Sequence, residues 1–202
     1  MNIIGTRAVA ESVKTAHTKL VYISSDSVYD GTRGDYRETD PINPQNYYGV
    51  SKYRGELEAS NNRDTLIIRT NIFGWNIQNK FSLAEWILNE LSNERKLKGF
   101  RDVHFSSIYN FELAKILDVA VDQGVTGTFN CGSRTSLSKY EFALRIAERF
   151  NLKRDLIEPI SIDNANLGAK RGKNLTLNSA KLGSALHYTI PTIDESIDAF
   201  YR

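Results

Sequence analysis

The sequence predicts an α/β fold, with a parallel sheet layered by helices and a smaller mixed lobe following it. Short apolar, β-rich runs at 20–23 and 65–69 suit buried strands, and 127–131 reads as a further strand. Between them lie segments whose apolar residues recur at the 3–4 spacing of one helical face. Strand and helix alternate along the chain, as a parallel sheet with crossover helices requires.

Each element has its own signal. Ile3, Ile4, Ala8, Val9, Ser12 and Val13 give the helical spacing over 3–16. The strand at 20–23 leads into a polar, turn-rich stretch, 26–46, with Asp30-Gly31, Gly34, Pro41 and Pro44. Ordered loops of that length often carry function. A helix is expected over 45–61 and a strand over 65–69. Leu83, Trp86, Ile87 and Leu91 mark a helix within 81–94. Residues 102–106 suit a strand, 111–121 a helix, 127–131 a strand and 136–150 a helix. Ser138 and Glu141 are spaced as a capping box. Short strands at 157–162 and 174–177 and helices at 178–185 and 192–201 complete the chain. A soft division into 1–97 and 98–202 follows, because no Pro/Gly-rich linker separates the two parts.

The chain has 202 residues, 41% of them apolar, enough for a sizeable core. Its 26 basic and 24 acidic residues nearly cancel, which gives no electrostatic case for nucleic acid as the main ligand. The densest basic run, Lys170-Arg171-Gly172-Lys173, reads first as a solvated loop and second as a polyanion site. The single cysteine, Cys131, cannot form an internal disulfide and suits a packed position in a reducing compartment. No apolar run reaches the roughly 20 residues of a membrane span, and the N-terminus lacks a signal-peptide pattern. These features together lead us to expect a cytoplasmic protein that is not embedded in a membrane. His17, His104 and His187 are far apart and have no ligand-spaced partners, so no metal site is expected.

The strongest chemical signal is Tyr48-Gly-Val-Ser-Lys52. Residues i and i+4 share a helical face, so a phenol and an ammonium can serve one centre. A neighbouring cation lowers a tyrosine's pKa from about 10 toward the range useful for proton transfer. Alone, this spacing is common and equally suits an exposed helix face. Upstream, the strand ends in Ser24-Ser25-Asp26, at the carboxyl end where α/β sheets bind ligands. A hydroxyl there can steady charge on a substrate oxygen. Taken singly, it reads as a strand-end turn.

In combination these blocks resemble a known family. Asn2-Ile-Ile-Gly-Thr6, Val21-Tyr-Ile-Ser-Ser25-Asp-Ser-Val-Tyr29, Asn46-Tyr-Tyr48-Gly-Val-Ser-Lys52 and Ile68-Arg69-Thr-Asn-Ile-Phe-Gly74 look like consecutive blocks of the extended short-chain dehydrogenase/reductases. Ser107-Ile-Tyr-Asn-Phe-Glu-Leu-Ala114, Gly127-Thr-Phe-Asn130, Ser136-Leu-Ser-Lys-Tyr-Glu-Phe-Ala143 and the segment 170–177 look like the dTDP-4-dehydrorhamnose reductase branch. Related sugar 4,6-dehydratases carry Glu where this chain has Ser27, which weakens a dehydratase reading.

The resemblance implies a partial Rossmann-type sheet over 1–97, a mainly substrate-binding lobe over 98–202, and NAD(P)H as cofactor. It implies Ser25, Tyr48 and Lys52 as catalytic residues. Asn2, Tyr48, Lys52, Thr70 and Asn71 would face the cofactor, and Ser25, Asp26, Trp75 and Arg171 the nucleotide-sugar substrate. Core packing is an equal reading of Trp75. The family's usual proline after the arginine is Gly172 here. A homodimer through the helices at 3–16 and 45–61 is also implied. The Gly-rich dinucleotide turn does not occur in the sequence, and only 24 residues precede Ser25. A truncated enzyme and a shortened paralogue both fit, the first being favoured, and the flank of the strand at 20–24 is expected to be open. The implied activity is reduction of a nucleotide-linked 4-keto-6-deoxy sugar. A sugar epimerase and a non-catalytic subunit, like the regulatory subunits of methionine adenosyltransferase that resemble this branch, remain as alternatives.

Overall fold

The structure, a computed structural model, describes residues 2–16, 18–78 and 80–202. The reading of His17 as a non-ligand falls outside them. In chain order the elements are α1 (Ile4–Thr15), β1 (Leu20–Ser25), α2 (Tyr47–Ala59), β2 (Thr65–Thr70), β3 (Ile72–Phe73), α3 (Leu83–Ser92), β4 (Leu97–Phe100), β5 (His104–Phe105), β6 (Ile108–Tyr109), α4 (Asn110–Asp122), β7 (Gly127–Cys131), β8 (Leu137–Ser138), α5 (Lys139–Arg149), β9 (Ile157–Ile160), α6 (Ala180–Leu186) and α7 (Ile193–Tyr201).

The strands β1, β2 and β7 form one parallel sheet in the order β1-β2-β7. Its register runs from Leu20 opposite Thr65 to Ser25 opposite Thr70, and from Leu66 opposite Gly127 to Thr70 opposite Cys131. Every residue of the central strand β2 is buried. Its side chains alternate: Ile67 joins Leu20, Tyr22, Ala10 and Ala59 beneath α1 and α2, while Leu66 and Ile68 join Phe129, Cys131, Ile116 and Leu182 beneath α4 and α6. A strand covered on both faces needs this continuous apolar run. Among the described residues β1 has a strand partner on one side only. Burial pushes the Cys131 thiol up to about 12, so it stays a neutral packing group.

The second core gathers α3, α5 and α7 around Phe73, Phe105, Phe142 and Phe200. Phe142 meets Phe73 and Phe105 edge-on at 5.1 and 5.2 Å, a geometry the ring quadrupole favours. Two-stranded pairings β3-β6, β4-β9 and β5-β8 tie this lobe together.

Three sequence expectations shift. The helix expected over 136–150 begins at Lys139, because Ser138 and Glu141 close the capping box and the preceding residues pair with β5. The strand over 102–106 shrinks to β5. Here the Asp102 carboxylate turns aside to accept from Ser161 Oγ at 2.6 Å and Ile162 N–H at 2.8 Å. The strand over 174–177 reduces to isolated bridges, Tyr36 with Leu177 and His104 with Asn174. Its backbone bonding is split: Asn174 and Leu175 N–H donate to the Gly31 and His104 carbonyls, whereas Thr176 and Leu177 N–H donate to the side chains of Asn174 and Ser106.

Asp102 gives a test of this lobe. Partial burial raises its pKa, but Ser161, Ile162 N–H and Lys173 outweigh that and hold it down to about 2. A carboxylate whose folded pKa is depressed stabilises the fold above its unfolded value, near 3.9, and that contribution disappears as pH falls to about 2. Asp102→Asn is expected to lower stability by ~1–2 kcal/mol at neutral pH. The deficit should vanish in the acid limb of a urea-unfolding series.

Candidate active site

The end of β1 and the start of α2 build one side of a cleft of about 690 Å³. Asp26, Ser27, Tyr48, Asn71, Lys139 and Arg171 are among its polar lining, and Trp86, Leu97, Phe100 and Phe105 among its apolar wall. After β1 the chain makes a single 3-10 turn, Asp26–Val28, in which Ser25 Oγ accepts from Ser27 N–H at 3.2 Å. That turn aims Asp26 inward. Ser25 Oγ donates to its Oδ1 at 2.9 Å and Asn71 Nδ2 to its Oδ2 at 2.7 Å. Burial pushes the Asp26 carboxyl upward, opposed by these donors and by the Lys139 charge.

Helix α2 starts where Asn46 caps it, its Oδ1 accepting from Gly49 N–H at 3.0 Å. Tyr48 therefore sits in the first turn, 54% exposed at the mouth of the cleft. Lys52, one turn on, lies half-buried behind it. Its Nζ donates to the Ile23 carbonyl at 2.6 Å and stands 4.7 Å from the Tyr22 ring centroid. Burial lowers the Lys52 pKa, with Glu56 opposing. Asn2 reaches the same helix, its Nδ2 donating to Ser51 Oγ at 3.0 Å.

Beneath the site lies a buried polar cluster. Arg69 of β2 makes a two-pronged pair with Glu56 of α2, with Nη2 to Oε2 at 2.7 Å and Nε to Oε1 at 3.0 Å. Ser24 Oγ of β1 donates to Glu56 Oε1 at 2.5 Å. Arg69 Nη1 donates to Tyr29 OH at 2.9 Å, and Asn130 Oδ1 of β7 lies 3.0 Å from that hydroxyl. Tyr29 stacks on Tyr36 with centroids 4.5 Å apart. All three sheet strands, α2 and the long loop thus converge on one guanidinium.

The structure brings Asp26, Tyr48, Asn71 and Arg171 to one cleft, with Ser25 bonded to Asp26 and Lys52 behind Tyr48. Trp75 lies elsewhere: its ring packs 4.4 Å from that of Phe200 and its Nε1 donates to the Phe200 carbonyl at 3.2 Å. Gly172 has a steric reason, because a Cβ there would lie 2.5 Å from Gly31 Cα where the two segments cross. Lys139 was not singled out in the sequence, although it stands beside the capping serine that was.

The chain as a whole matches a family. A profile described as the RmlD substrate binding domain matches residues 1–202. The chain belongs to that family. Its fold is that of a solved dTDP-4-dehydrorhamnose reductase from Bacillus anthracis in complex with NADP, with a TM-score of 0.92 and 26% identity over 100% of this chain and 71% of that one. A structure described as a hypothetical dTDP-4-dehydrorhamnose reductase from Sulfolobus tokodaii gives a TM-score of 0.84 and 30% identity, covering 98% of this chain and 68% of that one. The curated relative methionine adenosyltransferase 2 subunit beta of Bos taurus is 28% identical over 191 residues, covering 90% of this chain and 57% of the relative. This RmlD-family chain therefore spans little more than half the length of such relatives. Among its described residues no helix is long and apolar enough to cross a membrane.

Two polar groups near the carboxyl ends of β1 and β2 keep spare hydrogen-bonding capacity, as residues that hold a nicotinamide ribose would need. One acceptor, Ile23 O, takes one of the three N–H bonds of Lys52. Thr70 Oγ1, at the carboxyl end of β2, is buried with no partner in the protein. No glycine-rich strand-to-helix turn for a pyrophosphate occurs in the sequence.

Proposed function

We propose that this chain carries the substrate cleft and the proton-donating side chain of a nucleotide-sugar reductase of the dTDP-4-dehydrorhamnose type. The observation that carries this reading is the convergence of Tyr48, Asp26, Asn71 and Arg171 on one cleft, with Lys52 packed behind the tyrosine. Ser25 Oγ is oriented by its bonds to Asp26 and Ser27 and would hold the sugar carbonyl oxygen. Tyr48 would give that oxygen its proton as the carbonyl becomes an alcohol. Tyr48 and Lys52 would hold the nicotinamide ribose, with Thr70 and Asn71 at the strand end beside them. NAD(P)H, when bound, supplies the hydride. Arg171 reaches the cleft with a planar guanidinium suited to the diphosphate of the substrate. Ile4, Val9 and Leu57, exposed on α1 and α2, support the homodimer contact that the resemblance implies.

The test is oxidation of NADPH or NADH by the purified chain in the presence of dTDP-4-dehydrorhamnose, followed by absorbance, with product analysis. Substrate-dependent oxidation is expected. Conversion of the sugar without net oxidation would replace the reading with an epimerase, and absence of both turnover and dTDP binding would overturn it.

The methionine adenosyltransferase subunits among the relatives favour a second reading, a non-catalytic regulatory subunit. A stable complex with a methionine adenosyltransferase catalytic subunit, unchanged by Tyr48→Phe, would support it.

A further inference from the structure

The reductase reading makes no use of Lys139. This first residue of α5 is half-buried on the cleft wall, with its Nζ 3.5 Å from the centroid of the Phe105 ring. Among the described residues its ammonium has no hydrogen-bond acceptor and no ion-pair partner within contact distance. The cleft's charged lining is unbalanced: Lys98, Lys139 and Arg171 face a single carboxylate, Asp26. That carboxylate already accepts from Asn71, Ser25 and Ser27; it feels the Lys139 charge across the cleft but makes no ion pair with it.

Two cations lining one partly desolvated cleft are unfavourable in the free protein. An anion placed between them reverses both costs, gaining charge-assisted hydrogen bonds and removing the repulsion. Burial, with Arg171 adding to it and Asp26 opposing it, lowers the Lys139 pKa to about 8. Perturbed cations of this kind concentrate at functional sites.

We propose that Lys139 and Arg171 together seat an anionic phosphate or diphosphate group of the ligand, with Lys139 as the specificity-determining member of the pair. The ammonium acts as a point charge and the guanidinium as a planar fork, so the two grip different oxygens of one phosphate ester. Identifying the anion as the diphosphate of a nucleotide sugar rests on the reductase reading. The anion seat itself rests on the cleft's charge and on an ammonium that lies over the Phe105 ring with no acceptor oxygen among the described residues.

The experiment titrates inorganic pyrophosphate and dTDP separately, by calorimetry, into the native chain, Lys139→Gln and Lys139→Arg. At neutral pH the native chain should bind both probes. Lys139→Gln should weaken both by ~10-fold or more, while Lys139→Arg stays within ~3-fold of native. Between pH about 7 and about 9.5 native affinity for dTDP should fall by ~10-fold as Lys139 loses its proton, whereas Lys139→Arg should stay flat. The titratable and charged groups lining the cleft with Lys139 are Asp26 after β1, Tyr29 in the long loop, Tyr47 and Tyr48 on α2, Lys98 on β4, His104 on β5 and Arg171 on the 165–173 segment, and all are common to both proteins. The arginine variant therefore cancels their titrations. Removing a half-buried ammonium relieves a burial cost, so the thermal midpoint of Lys139→Gln at neutral pH should equal or exceed the native value, which separates lost binding from lost folding.

Pyrophosphate binding that depends on Lys139, with no gain from the nucleoside, would uphold the anion seat and overturn the nucleotide-sugar reading. Tight dTDP binding that is indifferent to Lys139→Gln would do the reverse. Failure of both probes to bind at millimolar concentration would overturn the seat.

Discussion

Arg69→Met is expected to destabilise the chain by ~3–5 kcal/mol, the cost of stranding a buried carboxylate. Glu56 and Arg69 are both buried, and the pair is bonded through two prongs. Burial works against the guanidinium's charge, but the Glu56 carboxylate bonded to it outweighs that and keeps it protonated. Remove the arginine, and Glu56 retains, among the described residues, Ser24 Oγ alone as a donor while Tyr29 OH loses its charged partner. For a domain of this size a loss of that order lowers the melting temperature by several degrees to well over ten. Glu56→Gln with native Arg69 should cost less, because the amide still accepts from the guanidinium. The double variant Glu56→Met/Arg69→Met should recover part of the loss, since paired removal leaves no uncompensated charge. Chemical unfolding of these variants, with Glu56→Met completing the cycle, measures this. Additive losses in the double variant would show that the two side chains act separately.

The same cluster marks where sequence reasoning stops. The strands at 20–23 and 65–69 were legible because a strand buried on both faces carries a continuous apolar run, whatever its neighbours. The Ser138/Glu141 capping box was legible because its partners are local in sequence. Glu56, Arg69, Tyr29 and Asn130 come from four separate segments, and each alone reads as an ordinary polar residue. Only the β1-β2-β7 order brings them together. Two-residue strands such as β3 and β6 are too short to have a period. Lys139 was hidden for a different reason. A lysine opening an amphipathic helix looks solvated, and its place in the cleft depends on Phe105 and on the 165–173 segment arriving from far along the chain. Tyr48 and Lys52 were readable because their relation is one helical turn. Asp26 and Asn71 were readable as strand ends, though the 2.7 Å bond joining them was not.

Tyr48→Phe is expected to reduce turnover by ~10²–10⁴-fold, the usual range for losing a positioned proton donor. The phenol is exposed at the cleft mouth and makes no hydrogen bond to the described residues, so its removal leaves the packing of α2 intact. Stability should therefore stay within ~0.5 kcal/mol of native. Affinity for dTDP, read by the same calorimetry, should stay within ~3-fold, because the tyrosine would act on the sugar carbonyl at the reacting end. Lys52→Met should differ. Its ammonium bonds the Ile23 carbonyl and lies over Tyr22, so the substitution leaves a strand carbonyl without that donor and lowers stability as well as rate. The pair of variants thus separates chemistry from scaffold: a pure rate defect at Tyr48, and a mixed one at Lys52. Unchanged turnover in Tyr48→Phe would remove the tyrosine from the reaction. Unchanged turnover together with an intact complex with a methionine adenosyltransferase catalytic subunit would move the cleft from catalysis to binding.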